Sequence, residues 1–353
     1  MSPSGRAPMK VVLVGDFPPP NGGVATHVEE VFRAVRAHGG ECVVLDIGKG
    51  QLPADGVLPA GSGLRFAALL AAYAARGFRV HLHTSGANPK SWALAFFCAA
   101  AAQIGSLPPL VTIHSGMCSP WLSKSPLRRA AARASVERYG TVIAVSGQIR
   151  DSLLACGVDR ARIEVLPAFS HKFLQPGPPP ARLVDIRARA KPLFCAMLAP
   201  PQLYGKEVLL SAFALVRAQL PEARLVVYGV GTESVQADGV EGFGELHRPT
   251  ALALIASCDV FVRPTLVDGD SVSVREALAL GRQVVATSVG HRPPEARLVA
   301  PGDAKALARG LLEAAEQPAR TQIAASADPL HRLLALYGLS AEEMAPCAAS
   351  AAF

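Results

Sequence analysis

Aromatic residues are scarce, at 6% of the chain, and no run of Lys or Arg alternates with Phe or Tyr. A base-stacking platform needs both features, so nucleic acid is set aside as a partner. Cysteine pairing is also missing. Seven cysteines (Cys42, Cys98, Cys118, Cys156, Cys195, Cys258 and Cys347) stand singly, with no Cys-x-x-Cys. The odd count and the spacing exclude a disulfide framework and a zinc knuckle, and the residues read as small buried hydrophobes in a reducing cytoplasm. Charge is low, 18% against 50% hydrophobic residues, which excludes the disordered class. Long apolar runs are absent: the longest, Trp92 to Ala102, falls well short of the ~20 residues of a membrane span. The polar stretch Met1 to Met9 and the short run Val11 to Val14 do not make an export signal. The expected location is the cytoplasm, with at most peripheral attachment to a membrane. What charge there is leans positive, with 35 Lys plus Arg against 28 Asp plus Glu, a net +7 that favours an anionic partner without naming it.

The 353 residues present suggest about two domains at roughly 150 residues each. From the start, one unit recurs: a short β-branched run, a turn, then an apolar-periodic helix. Lys10 to Gly15 precedes a helix with Val24, Val28, Val31 and Val35 on one face. Cys42 to Asp46, Val80 to His83, Leu110 to His114 and Val142 to Val145 follow, each with its own helix. The pattern breaks over Leu166 to Arg182, where Pro167, Pro176, Gly177 and Pro178 to Pro180 mark a linker. It restarts with strands at Leu193 to Met197, Arg224 to Tyr228, Val240 to Phe243, Val260 to Arg263 and Val284 to Ala286. The fold class is therefore α/β, two Rossmann-like parallel-sheet domains facing a central cleft, over residues 1–170 and 171–325. A tail, 326–353, opens with the N-cap and first-turn pair Asp328-Pro329 of a helix carrying Leu330, Leu333, Leu334 and Tyr337, expected to pack back on the first domain or across both.

Open α/β sheets bind ligands beyond the carboxyl ends of their strands, which directs attention to strand-end residues. Gly22-Gly23 lies between the first strand and its helix, where a backbone can approach an oxygen-rich ligand. The spacing is not Gly-x-Gly-x-x-Gly, so a nicotinamide cofactor is poorly supported and a plain flexible turn is the alternative. His114 ends a strand; with His81 and His83 it admits a three-histidine metal site, but alternating histidines at a strand end need no metal, and none is expected. Around Leu127 to Arg138, Lys124, Arg128, Arg129, Arg133 and Arg138 with Trp121 describe either a solvated basic face or one that meets anionic lipid headgroups. The most specific segment runs from Arg263 to Gly281: a strand end, an acidic turn with Asp268, Gly269 and Asp270, and a helix start at Ser271, Val272 and Ser273 that leads to Glu276. A capping box at Ser273 to Glu276 and an ordinary Asp-Gly turn are the plainer explanations.

Asp268 and Glu276, an acid followed at the eighth position by Glu-Ala, resemble the fingerprint of the family 4 glycosyltransferases of GT-B fold. The likeness extends over nearly the whole chain: Phe17-Pro18-Pro19 with Gly22-Gly23-Val24, Val111 to His114, Ile143 to Ser146 and Cys258 to Pro264 are each similar to a family segment. The resemblance implies a retaining transfer of sugar from a nucleoside diphosphate, UDP or GDP, to a hydroxyl of a saccharide or lipid-linked acceptor in bacterial surface polysaccharide synthesis, without a metal or other cofactor. It implies catalytic roles for His114 and Asp268, and donor contacts from Gly22, Gly23, Asp270, Ser271, Val272, Ser273 and Glu276, with Glu276 on the ribose. Both acids would then lie at the cleft rather than in a core. The family's Arg and Lys-Gly, which hold the donor diphosphate, are replaced by Ala199 and Tyr204-Gly205, which leaves Lys206 as the nearest cation; the loop from Gly290 to Asp303 is also shortened. An epimerase of the same fold and a non-catalytic scaffold in a glycan-assembly complex are the alternatives.

Overall fold

The computed structural model describes residues 9–19, 22–49, 52–199, 201–320 and 328–339; Pro20, Asn21, Cys347 and most of the tail lie outside these. The chain forms two compact units, one of Met1–Ser170 with Ala327–Phe353, the other of His171–Ser326.

The first unit is built on β1 (Lys10–Gly15), β2 (Glu41–Asp46), β3 (Val57–Pro59), β4 (Arg79–Thr84), β5 (Leu110–Ile113), β6 (Thr141–Ala144) and β7 (Ile163–Val165). All seven pair in parallel in the order β3-β2-β1-β4-β5-β6-β7. Val11 to Val14 are fully buried, as a strand covered on both faces requires. The covering helices are α1 (Gly23–Ala37), α2 (Gly63–Ala75), α3 (Pro89–Ala102), α4 (Cys118–Ser123), α5 (Pro126–Val136) and α6 (Gly147–Ala155). Val28, Val31 and Val35 of α1 are buried, and Val24 half-buried, so the valine stripe is its inner face.

The second unit contains α7 (Ala181–Arg189), β8 (Leu193–Met197), α8 (Lys206–Gln219), β9 (Arg224–Tyr228), β10 (Gln236–Ala237), β11 (Val240–Gly242), α9 (Arg248–Ser257), β12 (Val260–Arg263), α10 (Val272–Ala279), β13 (Gln283–Thr287), β14 (Arg297–Val299) and α11 (Ala304–Ala315). Its strand order is β10-β11-β9-β8-β12-β13-β14, parallel except for β10 against β11. Alternate residues of β8 serve opposite cores: Leu193 and Cys195 pack with α7, α9 and α10, Phe194 and Ala196 with α8 and α11. The helix α7 was not expected from the sequence, since it starts inside the proline-rich linker. Pro180 is its N-cap and costs the helix no hydrogen bond, while Leu183 and Ile186 bury its inner face.

Both sheets reverse their winding direction once, between β1 and β4 in the first and between β8 and β12 in the second. Such switch points open a crevice at the carboxyl ends of the flanking strands.

A last helix, α12 (Pro329–Leu336), belongs to the first unit. Leu330, Leu333 and Leu334 are buried, the Arg79 guanidinium donates to the Leu336 carbonyl (3.2 Å), and Arg332 forks onto Glu164 (2.9 and 2.6 Å). Asp328 caps it, accepting from Leu330 N (3.0 Å) with one oxygen, and its other oxygen accepts from Ser170 Oγ (2.7 Å). Replacing Asp328 by Ala should therefore cost about 1–2 kcal/mol, read as a lower denaturation midpoint of the first unit, whereas the equivalent change at exposed Asp151 should leave it in place.

Candidate functional site

At the second switch point the loop after β8 is pulled onto the end of β12. Gly205 makes this approach possible: its φ is +74°, and a Cβ there would sit 2.1 Å from the Pro264 carbonyl oxygen. Leu203 O accepts from Leu266 N (2.9 Å) and Thr265 Oγ1 (3.2 Å), and the Tyr204 ring lies 4.0 Å from the Arg263 guanidinium. Arg263 ends β12, buried, and donates to Asp268 Oδ2 (3.0 Å) and toward Met197 Sδ (3.3 Å) at the end of β8.

Arg292, also buried, donates to the same Asp268 oxygen (2.8 Å) and to the Thr287 (3.1 Å) and His291 (3.1 Å) carbonyls. It comes from the loop between β13 and β14. Gly290, at φ +72°, lets that loop ride against the acidic turn, where His291 N donates to Gly269 O (2.7 Å). Burial pushes the Asp268 carboxyl up, but the Arg263 and Arg292 guanidiniums outweigh it and hold it below the ordinary carboxylate range. Its Oδ1 accepts from Gly269 N (3.0 Å), so Asp268 is structurally committed. Asp270 is gripped by Arg275 through two 2.8 Å bonds.

Downstream, the N-cap of α10 is Ser271, not Ser273, and no side chain caps that end; Ser271 Oγ meets Ser273 Oγ instead (3.1 Å). The capping-box explanation of Glu276 is thereby removed. Glu276 lies within α10, buried, with Oε1 3.1 Å from Arg248 Nη2 at the start of α9. Burial raises its pKa, and Arg248 opposes that shift. Glu276 is buried and Asp268 half-buried, and each meets an arginine that neutralises it. Lys206, the first residue of α8, is about one-third exposed, and its Nζ lies 3.8 Å from Glu207 Oε1.

At the first switch point, α1 begins without a side-chain cap at Gly22. The Gly22 φ of −159° is ordinary extended backbone, and an added Cβ there would meet nothing within 4 Å among the described residues. Behind it stand four histidines. His27 of α1 has its ring 5.5 Å from those of His83 and His114, and His83 Nδ1 is 3.1 Å from His114 Nε2. His81 bonds Tyr337 Oη through Nδ1 and Thr112 Oγ1 through Nε2 (2.8 Å), so neither nitrogen is left for a metal. Among the described residues no group of three or more His, Cys, Asp or Glu side chains is placed to hold a metal ion. Burial holds His81, His83 and His114 well below the usual imidazole pKa, and their mutual proximity adds to it.

Two family models match this chain: the Glycosyltransferase Family 4 model over residues 21–169 and the Glycosyl transferases group 1 model over residues 189–317, together most of its length. The chain belongs to these glycosyltransferases. Solved structures share the GT-B fold at low identity. Anabaena HepE in complex with UDP-glucose is 17% identical, with a TM-score of 0.65 over 86% of this chain and 89% of that one. Sucrose-phosphate synthase from Thermosynechococcus elongatus is 19% identical, TM-score 0.65, covering 93% and 95%. A putative UDP-N-acetylglucosamine 2-epimerase from Listeria monocytogenes is 13% identical, TM-score 0.64, covering 93% and 95%. A search of the curated proteins finds no match.

In this glycosyltransferase the sequence reading missed Arg248, Arg263 and Arg292. Arg263 was visible as a charge at the end of an otherwise apolar strand, an expensive placement unless a carboxylate meets it. The other two come from separate elements, and no spacing rule links either to its acid. Because the folded pKa of Asp268 is lowered, its ionised form contributes stability above about pH 4 that is lost as the pH falls below that value. Asp268→Asn should cost roughly 3 kcal/mol and flatten the acid limb of the stability profile, as urea titrations between about pH 6 and pH 3 would record.

Proposed function

We propose that this glycosyltransferase moves a hexose, with retention, from UDP or GDP to a hydroxyl of a saccharide or lipid-linked acceptor in bacterial surface polysaccharide synthesis, at the cytoplasmic side of the membrane. The observation that carries the donor half is the pair of helix N-termini, α8 at Gly205 and α10 at Ser271, that no side chain caps. Each offers amide dipoles to a diphosphate, with Lys206 and the Ser271, Val272 and Ser273 amides in reach of the phosphates and Glu276 for the ribose hydroxyls. Relatives of the same fold solved with UDP and with UDP-glucose support this reading. Gly22 and Gly23 are proposed as further donor contacts and His114 as a sugar contact. Asp268, held by Arg263 and Arg292, orders the acidic turn beside the transferred sugar.

In the reaction, the bond from the anomeric carbon to the diphosphate oxygen breaks on the face where the acceptor oxygen attacks, and the acceptor proton passes to the departing phosphate. Amide dipoles and the Lys206 ammonium stabilise the charge that develops on the leaving group, so no metal cation is required. Residues of the first unit supply a membrane contact. Arg128 lies 4.9 Å from the Trp121 ring and Arg138 4.4 Å from that of Phe96, while Leu127 is 79% exposed beside them. That mixture of cations and apolar groups suits an anionic lipid surface. Among the described residues no helix is long and apolar enough to cross a membrane.

Calorimetric titration with UDP and GDP tests the donor site: one nucleotide should bind, and Lys206→Met should weaken it about tenfold to a hundredfold. Binding of neither would favour the scaffold. Product analysis with and without acceptor separates transfer from epimerisation, which needs no acceptor. Transfer should persist in EDTA.

The lipid contact is tested by sedimentation with vesicles. The protein should sediment with anionic phosphatidylglycerol vesicles at low salt and be released at high salt, and Arg128→Glu with Arg138→Glu should abolish that binding. Equal binding to neutral phosphatidylcholine would reject a charge-driven contact.

A further inference from the structure

The histidine cluster of the first unit contains an orphan nitrogen. His83 is 2% exposed, and its Nε2 has no hydrogen-bond partner among the described residues. Its other nitrogen, Nδ1, faces His114 Nε2 at 3.1 Å, with the rings stacked at 29° and 5.3 Å between centroids. His114 is half-buried, and no bond to its Nδ1 occurs among the described residues. With both rings neutral, one of the two facing nitrogens carries the proton.

The two assignments differ in what they strand. If His114 Nε2–H donates, His83 Nδ1 accepts, and its proton moves to Nε2, a buried N–H with no acceptor. If His83 Nδ1–H donates, its Nε2 is a bare lone pair, the orphan that folded proteins tolerate more readily than a buried donor. We propose that His83 is a positioning residue: its Nδ1–H donates to His114 Nε2, which fixes His114 in the Nδ1–H tautomer and leaves that N–H as a donor for a substrate oxygen. His81 backs the arrangement. Its ring lies 4.2 Å from that of His83 and is itself locked between Tyr337 Oη and Thr112 Oγ1. His27, edge-on to both rings, closes the remaining side.

His114 then acts as a hydrogen-bond donor rather than a base, and burial among three other imidazoles keeps it uncharged. The tautomer stands independently of the reaction; its effect on turnover rests on the glycosyl-transfer reading above. Water favours the Nε2–H form of neutral histidine, so an Nδ1–H His114 is diagnostic.

The test is two-bond nitrogen–proton correlation NMR on the full chain with nitrogen-labelled histidine and no substrate, the His114 signals being assigned by their loss in His114→Gln. His114 should show the Nδ1–H pattern in the wild-type protein, change to Nε2–H in His83→Phe, and keep Nδ1–H in His83→Asn, whose amide places a donor near the Nδ1 position. An Nε2–H pattern in the wild-type protein, or Nδ1–H retained in His83→Phe, overturns the proposal. Should His83→Phe not fold, the wild-type and His83→Asn spectra decide it. In the transfer assay, His83→Phe should lower kcat about tenfold with donor KM unchanged, and His83→Asn should recover it. Equal losses in both variants, or none in either, overturn the positioning role. A wild-type protein without transfer activity would remove the proposed function and leave the tautomer result standing.

Discussion

A parallel sheet buried on both faces gives a polar side chain almost nowhere to go. Val11 to Val14, Leu193 to Ala196 and Val260 to Val262 are fully buried, so charge within these strands is confined to their ends. In each unit the polar chemistry collects at the carboxyl-end rim, around the strands where the winding reverses. The first unit gathers histidines there and the second gathers arginines and carboxylates.

The second unit shows what that confinement costs in electrostatics. Arg263 and Arg292 share one oxygen of Asp268, which leaves an excess of positive charge in a buried cluster, further balanced by Asp270 near Arg292. Removing one member of such a group exposes the others to the full penalty of desolvation. The acidic turn is therefore held rigidly, and its position relative to the open end of α10 follows from ion pairs rather than from the turn's own propensity. Positive charge enters this cluster through β12 and the loop after β13.

The first unit solves a different problem. Four imidazoles within stacking distance cannot all be charged, and burial keeps those at His81, His83 and His114 neutral. Neutral rings can order one another by hydrogen bonding. Tyr337, which follows α12 near the end of the chain, anchors the row, so a segment more than 250 residues away in sequence sets the orientation of His81.

Strand order apart, most of the architecture was legible in the sequence. β-Branched runs fixed the central strands, the valine stripe fixed the inner face of α1, and Asp328-Pro329 fixed the start of α12, because each signal is local and has a period or a cap. The short edge strands β3 and β7 and the helix α7 escaped, since three residues cannot display a period and prolines masked the third. Glu276 and Asp268 could be singled out through the family resemblance, but their partners Arg248, Arg263 and Arg292 could not, and neither could the pairing of His83 with His114. Spacing along the chain specifies which groups share a strand or a helix face. Which nitrogen meets which oxygen is decided when separate elements pack, because burial demands a partner for every charge and takes it from wherever the fold brings one near.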